Sequence, residues 1–169
     1  MRVFDNGNHV HSRLMSILYR SSDIRVVAGE IKIPDNPKIL GTCDAIVGID
    51  EENFILDFKS INSRGFSYLD EEKPDHKVQL LLYLFYFKIR KGYIIYENKD
   101  DQSLKEFLVD SETPENKELI SQIFAKLDKL GIYIKEHALP DKPKDLESWR
   151  CTYCDFKEEC SKNFNGDSK

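Results

Sequence analysis

Between the polar turn Asp50-Glu51-Glu52 and Ser60, the run Asn53-Phe54-Ile55-Leu56 passes directly into Asp57-Phe58-Lys59. β-Branched and aromatic residues bounded by turn residues read as a strand. Side chains two apart on a strand share a face, so Asp57 and Lys59 stand together where a buried apolar run ends. A charge in that position has to be paired or bound to a metal, because an isolated ion cannot leave water without heavy cost. The spacing by itself is common: an acid two residues before a Lys recurs at Glu30, Glu71, Asp75, Glu97, Glu115, Asp155 and Asp167. Only Glu30-Ile31-Lys32 has a comparable strand setting, and Glu30 reads there as a strand-edge charge rather than a ligand.

Other elements flank this strand. Val10, Leu14, Ile17 and Leu18 recur at helical spacing, so residues 7–19 read as an amphipathic helix with Asn6 and Asn8 supplying cap chemistry, ended by Ser21-Ser22-Asp23. Strand-like runs follow at 24–33, closed by Pro34 and Pro37, and at 40–49, which the turn at 50–53 would join to the Asp57 strand as a hairpin. Residues 75–90 read as a buried helix, apolar nearly all round and stopped by Gly92. Two more strands at 93–96 and 105–109 precede a long helix at 114–135 with Pro114 in its first turn, and Pro140 and Pro143 mark a linker. The final stretch from Leu146 ends in a frayed tail over 165–169. Strands alternating with helices over 169 residues imply one α/β (α+β) domain.

A net charge of −5 removes the footprint of a dedicated duplex binder, yet leaves room for an enzyme with an acidic metal site and a local basic strip. The longest apolar run, Val78 to Phe87, is interrupted by Gln79 and is about half the length needed to cross a bilayer. The first residues turn polar too soon for a secretory signal, so a cytoplasmic, reducing location is expected, where four cysteines serve as metal ligands or free thiols before disulfides.

Upstream of the hairpin turn, Gly41-Thr42-Cys43-Asp44 puts a second acid at the start of the neighbouring strand. The hairpin would carry Asp44 beside Asp57, so that two carboxylates and a Lys converge. Carboxylate oxygens with open water positions suit Mg²⁺ or Mn²⁺, and such an ion makes hydroxide available and bridges phosphate oxygens. That is phosphodiester chemistry. Cys43, next to Asp44, reads as a small core residue.

The order of these motifs resembles the PD-(D/E)xK nucleases of the RecB type, which include small CRISPR-associated and phage RecB-like exonucleases. The resemblance runs through Phe4-Asp5-Asn6-Gly7-Asn8-His9-Val10-His11, Gly41-Thr42-Cys43-Asp44, Asp57-Phe58-Lys59, Gln79-Leu80-Leu81-Leu82-Tyr83 and a C-terminal trio of cysteines. It implies a restriction-endonuclease-like core, a central mixed β-sheet flanked by helices, over residues 1–145, with a Cys-rich segment at 146–169 docked on it. It also implies that His11, Asp44, Asp57 and the backbone carbonyl of Phe58 bind the metal. Lys59 would position or deprotonate the attacking water, and Gln79 with Tyr83 would support the site beside DNA.

The residue chemistry is compatible with those roles. Gln79 and Tyr83 lie i,i+4 on a helix, about 6 Å apart along its axis, as polar groups in an oily element that need partners. An imidazole beside two carboxylates shifts the site toward Mn²⁺ relative to an all-oxygen set. Lys59 can tune its pKa where an Arg could not act as a base. The residues alone leave His9 as a competing ligand, His11 as a surface histidine and Gln79 as an incidental buried amide.

Cys151-Thr152-Tyr153-Cys154 followed by Cys160 places three thiols in a short loop, one short of a full set for zinc or an iron–sulfur cluster. The resemblance implies a 4Fe–4S cluster with a further Cys upstream of the His motif, and the sequence begins only ten residues before His11. Zinc and metal-free thiols are the alternatives.

The expected activity is therefore a Mg²⁺- or Mn²⁺-dependent DNA exonuclease acting at ends or in single strands. Lys77, Lys88, Arg90 and Lys91 are candidates for the DNA track, with Phe66 or Tyr68 stacking on bases. A noncatalytic DNA-end- or partner-binding iron–sulfur module of a recombination or CRISPR-adaptation complex is the alternative. A redox protein without nucleic acid would leave the acid, Lys, Gln and Tyr order unexplained.

Overall fold

The computed structural model describes residues 2–34, 39–140 and 148–164, with side chains over 9–34, 39–140 and 149–161. The turn at Pro37, the linker at Pro143, the tail at 165–169 and the side chains of Asn6 and Asn8 lie outside the described residues. The chain forms two compact units, Met1–Phe124 and Ala125–Lys169.

The first unit is built on a five-stranded sheet in sequence order: β1 (Arg25–Lys32), β2 (Thr42–Ile49), β3 (Glu52–Ile61), β4 (Lys91–Asn98) and β5 (Leu104–Asp110). Neighbours are antiparallel except β3 and β4, which run parallel with Asp57 opposite Ile94 and Lys59 opposite Tyr96. A parallel pair needs a crossover, and α2 (Ser63–Ser67) with α3 (Pro74–Phe87) supplies it. The mixed sheet flanked by helices is thus the expected α/β class.

Alternation along β3 separates two cores. Ile55 and Ile61 join Leu80, Leu81 and Leu84 of α3, together with Cys43, Ile94 and Tyr96. Leu56 and Phe58 point the other way and meet Val10 and Leu14 of α1 (Arg2–Arg20), with Ala45 and Val47. Fully burying one such aliphatic or aromatic side chain is worth about 1.5–3 kcal/mol, so both faces of β3 are strongly specified. The register cannot slip by one residue without reversing them.

Several boundaries differ from the sequence reading. Helix α1 begins at Arg2, so Asn6 and Asn8 lie within it and do not cap it, and Ile17 is half-exposed rather than core. Helix α3 ends where Lys88 adopts a left-handed conformation (φ 54°), well before Gly92. Gly92 instead lies inside β4, where a Cβ would come within 2.7 Å of the Ile55 carbonyl oxygen, so close strand approach explains it better than a helix stop. The short α2 had no sequence signal beyond Asn62, whose side chain accepts the Gly65 N–H at 2.8 Å. One flank of α3 is open, with Phe85 half-exposed.

The second unit contains the end of α4 (Pro114–Glu136), α5 (Ser148–Thr152) and α6 (Lys157–Phe164). Within it the Arg150 guanidinium stacks 5.2 Å over the Trp149 ring. No described helix is long and apolar enough to cross a membrane.

Candidate active site

Strands β2 and β3 pair regularly from Ile49↔Glu52 to Ala45↔Leu56, and the ladder stops there. Continued by one step, it would set Asp44 opposite Asp57. Instead the Asp44 side chain replaces the ladder, with Oδ2 accepting the Phe58 N–H at 2.7 Å. Its other oxygen, Oδ1, lies 3.2 Å from His11 Nδ1. Across the β1–β2 pair Glu30 has a positive φ of 50°, and Cys43 and Ala45, two residues apart, belong to opposite cores.

His11 is delivered by α1. Its ring stands edge-on to Phe58 with centroids 5.7 Å apart, which with Asp44 orients the imidazole and leaves Nε2 for another partner. The hydrogen bond that His11 donates to Asp44 raises the His11 pKa against the opposing effects of burial and Lys59. His9, the competing ligand, is exposed and lines a cleft of about 300 Å³ with Arg13, Glu97 and Lys99. In that cleft Arg13 pairs with the buried Glu97.

Asp57 is 1% exposed, and burial pushes its pKa up to about 6 despite the opposing pull of Lys59. Lys59 Nζ lies 2.7 Å from Asp57 Oδ2 and donates to Gln79 Oε1 at 2.9 Å. The contact with Asp57 is a buried ion pair, in which the ammonium meets Oδ2 directly. Gln79 Nε2 donates to Tyr83 Oη at 2.9 Å, and Tyr83 Oη donates to the Thr42 carbonyl at 2.8 Å. One continuous chain of polar contacts thus joins Asp57, Lys59, Gln79 and Tyr83 to the residue two before Asp44.

The donor set suits a hard divalent cation. Asp57 offers a buried carboxylate, Asp44 adds a second carboxylate and His11 an imidazole nitrogen. As placed, these acids are met by protein groups, and among the described residues no three His, Cys, Asp or Glu side chains enclose a metal position. Glu30 is exposed on the edge strand β1, and Cys43 is fully buried in the core with its thiol pushed up to about 12, chiefly by burial.

The proposed DNA-track residues are divided. Lys88, Arg90 and Lys91 gather at the start of β4, opposite Phe54 and away from Lys59, where Arg90 pairs with Asp110 and Lys91 with Glu52. Lys77 pairs with Glu72. Tyr68 is exposed, whereas Phe66 lies under the Lys105 ammonium at 4.9 Å. Cys151, Cys154 and Cys160 are free thiols on α5 and α6 and the turn between them. Among the described residues these thiols do not converge with other His, Cys, Asp or Glu side chains on a metal position.

The sequence profile of the PD-(D/E)XK nuclease superfamily matches residues 8–161. The chain belongs to this superfamily. The match spans the His11 helix, both acids, Lys59 and the Gln79–Tyr83 helix. Among solved structures, that of SSO0001 superposes with a TM-score of 0.56 at 23% identity, covering 91% of this chain and 68% of that one. An alkaline exonuclease (LHK-Exo) from Laribacter hongkongensis superposes with a TM-score of 0.51 at 16% identity, covering 79% of this chain and 71% of its own. The same exonuclease in complex with dAMP gives the same score and identity. At these identities the likeness speaks for the nuclease fold. No curated protein matches the sequence.

His76 escaped the sequence reading. It lies three residues before Gln79 on α3, and its Nδ1 is 2.8 Å from the hydroxyl of the buried Tyr96. Its helical spacing to Gln79 was the available signal.

Proposed function

We propose that this PD-(D/E)XK nuclease is a Mg²⁺- or Mn²⁺-dependent deoxyribonuclease of the RecB type, acting as an exonuclease at DNA ends or in single strands. One observation carries the reading most: the buried Asp57 carboxylate lies 2.7 Å from an ammonium that Gln79 holds from a neighbouring helix. A surface ion pair would have neither the burial nor the second anchor.

His11, Asp44, Asp57 and the Phe58 carbonyl are the residues that would hold the cation. Bound there, it would supply Lewis acidity at a phosphate oxygen and water of lowered pKa. The rest falls to the protein. Asp44 and Phe58 fix the His11 ring, while Gln79 limits the rotamers of Lys59 and keeps its amine beside Asp57 to orient the attacking water. Tyr83 fixes which way the Gln79 amide points, because its hydroxyl proton is committed to the Thr42 carbonyl and it can only accept from Gln79. Burial of Asp57 strengthens each of these charge interactions.

The test is cleavage of end-labelled single- and double-stranded DNA with each metal, beside Asp57→Ala. Metal-dependent shortening from an end, lost in the variant, is expected. No cleavage with either metal, or cleavage that survives Asp57→Ala, overturns the assignment.

A further inference from the structure

Tyr96 is fully buried in β4, opposite Lys59, and its hydroxyl has two neighbours. The Lys73 backbone N–H donates to it at 3.0 Å, and His76 Nδ1 lies 2.8 Å away. A backbone N–H can only donate, so the phenolic oxygen accepts from Lys73 and its own proton needs an acceptor. His76 Nδ1 is the acceptor within reach, and a buried hydroxyl proton left unpaired would cost a full desolvation penalty. The imidazole is therefore held as the tautomer protonated on Nε2. Burial and the nearby Lys59 ammonium both disfavour the imidazolium, so this ring offers a neutral N–H.

That N–H stands on the same helical face as Gln79, one turn nearer the α3 N-terminus, and Gln79 itself contacts Lys59. The His76 side chain keeps 22% of its surface open, and Asp75 Oδ2 is 4.0 Å from Nε2 on a side chain that is 79% exposed. Nε2 is thus aimed by the core yet has no hydrogen bond to Asp75. We infer that His76 is a substrate-contacting residue that donates Nε2–H to a non-bridging phosphate oxygen of the nucleic acid strand, beside Lys59. The inference rests on the nuclease reading. An anionic oxygen accepts strongly from a neutral donor, and a neutral donor adds no like charge next to Lys59.

Steady-state cleavage by His76→Phe and His76→Gln, with equilibrium DNA binding of both in an Asp57→Asn background across a salt series, tests it. His76→Phe should raise KM and Kd about tenfold, as expected for one hydrogen bond to a charged group, with kcat changed less than about threefold. His76→Gln, which carries an amide N–H near the Nε2 position, should recover most of that loss. The slope of log Kd against log salt should be the same for all three proteins, because a neutral donor releases no counterion. Unchanged KM and Kd in His76→Phe, a loss that Gln does not restore, or a slope reduced by about one in His76→Phe each overturn the inference. Thermal melting of both variants shows whether any loss comes from unfolding: a restoring Gln variant that melts with the Phe variant supports contact over packing. If wild type cleaves and His76→Phe matches it, this inference alone fails. If wild type neither cleaves nor binds DNA, the nuclease reading fails with it.

Discussion

Asp44 accepts the backbone N–H of Phe58 at 2.7 Å, at the step where the β2–β3 ladder ends. The carboxylate occupies the place of a main-chain carbonyl, which makes Asp44 a structural residue as well as a candidate ligand. Asp44→Ala leaves the Phe58 N–H without its acceptor and should cost about 1–3 kcal/mol in denaturant unfolding. Asp44→Asn retains an oxygen there and should recover most of that stability. Mn²⁺-dependent cleavage should be lost in both, which would separate the two duties of this residue.

Lys59 touches Asp57 and Gln79 at once. Lys59→Met should lower kcat by about 10²–10⁴-fold, the range for losing a positioned proton-transfer group, while DNA binding changes little. Lys59→Arg should not restore the rate, since a guanidinium neither loses its proton nor fits the space between a carboxylate and an amide in the same way. Gln79→Ala should fall between wild type and Lys59→Met in single-turnover assays, because it frees the ammonium without removing it.

Burial raises the Asp57 pKa to about 6, so its charged form lacks full compensation in the folded protein. A divalent cation that binds the folded state at this carboxylate should raise the melting temperature. The gain should approach about 2.7 kcal/mol at a hundredfold excess over Kd. Calorimetry with MnCl₂ should show the shift in wild type, its reversal by EDTA and its absence in Asp57→Asn.

His76 has a pKa below the ordinary value of 6.5, first because of burial and then because of Lys59 and Lys73, with Asp75 opposing. The unfolded chain therefore takes up this proton at higher pH than the folded one. The stability it contributes is complete above about pH 6.5 and falls as pH drops through the folded value. NMR titration should find the His76 resonance turning over below 6.5, and Lys59→Met should move it upward. A value at or above 6.5 would contradict the environment described.

Much of this protein was legible in its sequence because it depends on local periodicity. Period-two spacing along 53–60 placed Asp57 and Lys59 on one face of β3, and the structure pairs them at 2.7 Å. The choice between His9 and His11 was also partly legible. At about 100° per residue, His11 falls about 20° beyond the stripe made by Val10, Leu14 and Leu18, whereas His9 falls about 100° outside it. Boundaries were harder. Lys88 ends α3 in a left-handed conformation that few non-glycine residues adopt, and nothing in its identity announces that.

The order of the elements, the acids on the β2 and β3 strands and the Gln–Tyr pair on an apolar helix were determined by residue type and spacing alone, since each is a property of a few neighbouring side chains. Tertiary structure decided where the hairpin opens, which partners Lys59 takes, why Gly92 is a glycine and which tautomer His76 adopts. Those outcomes depend on atoms from strands and helices tens of residues apart being brought within about 3 Å, where hydrogen-bond direction rather than hydrophobic pattern selects the arrangement.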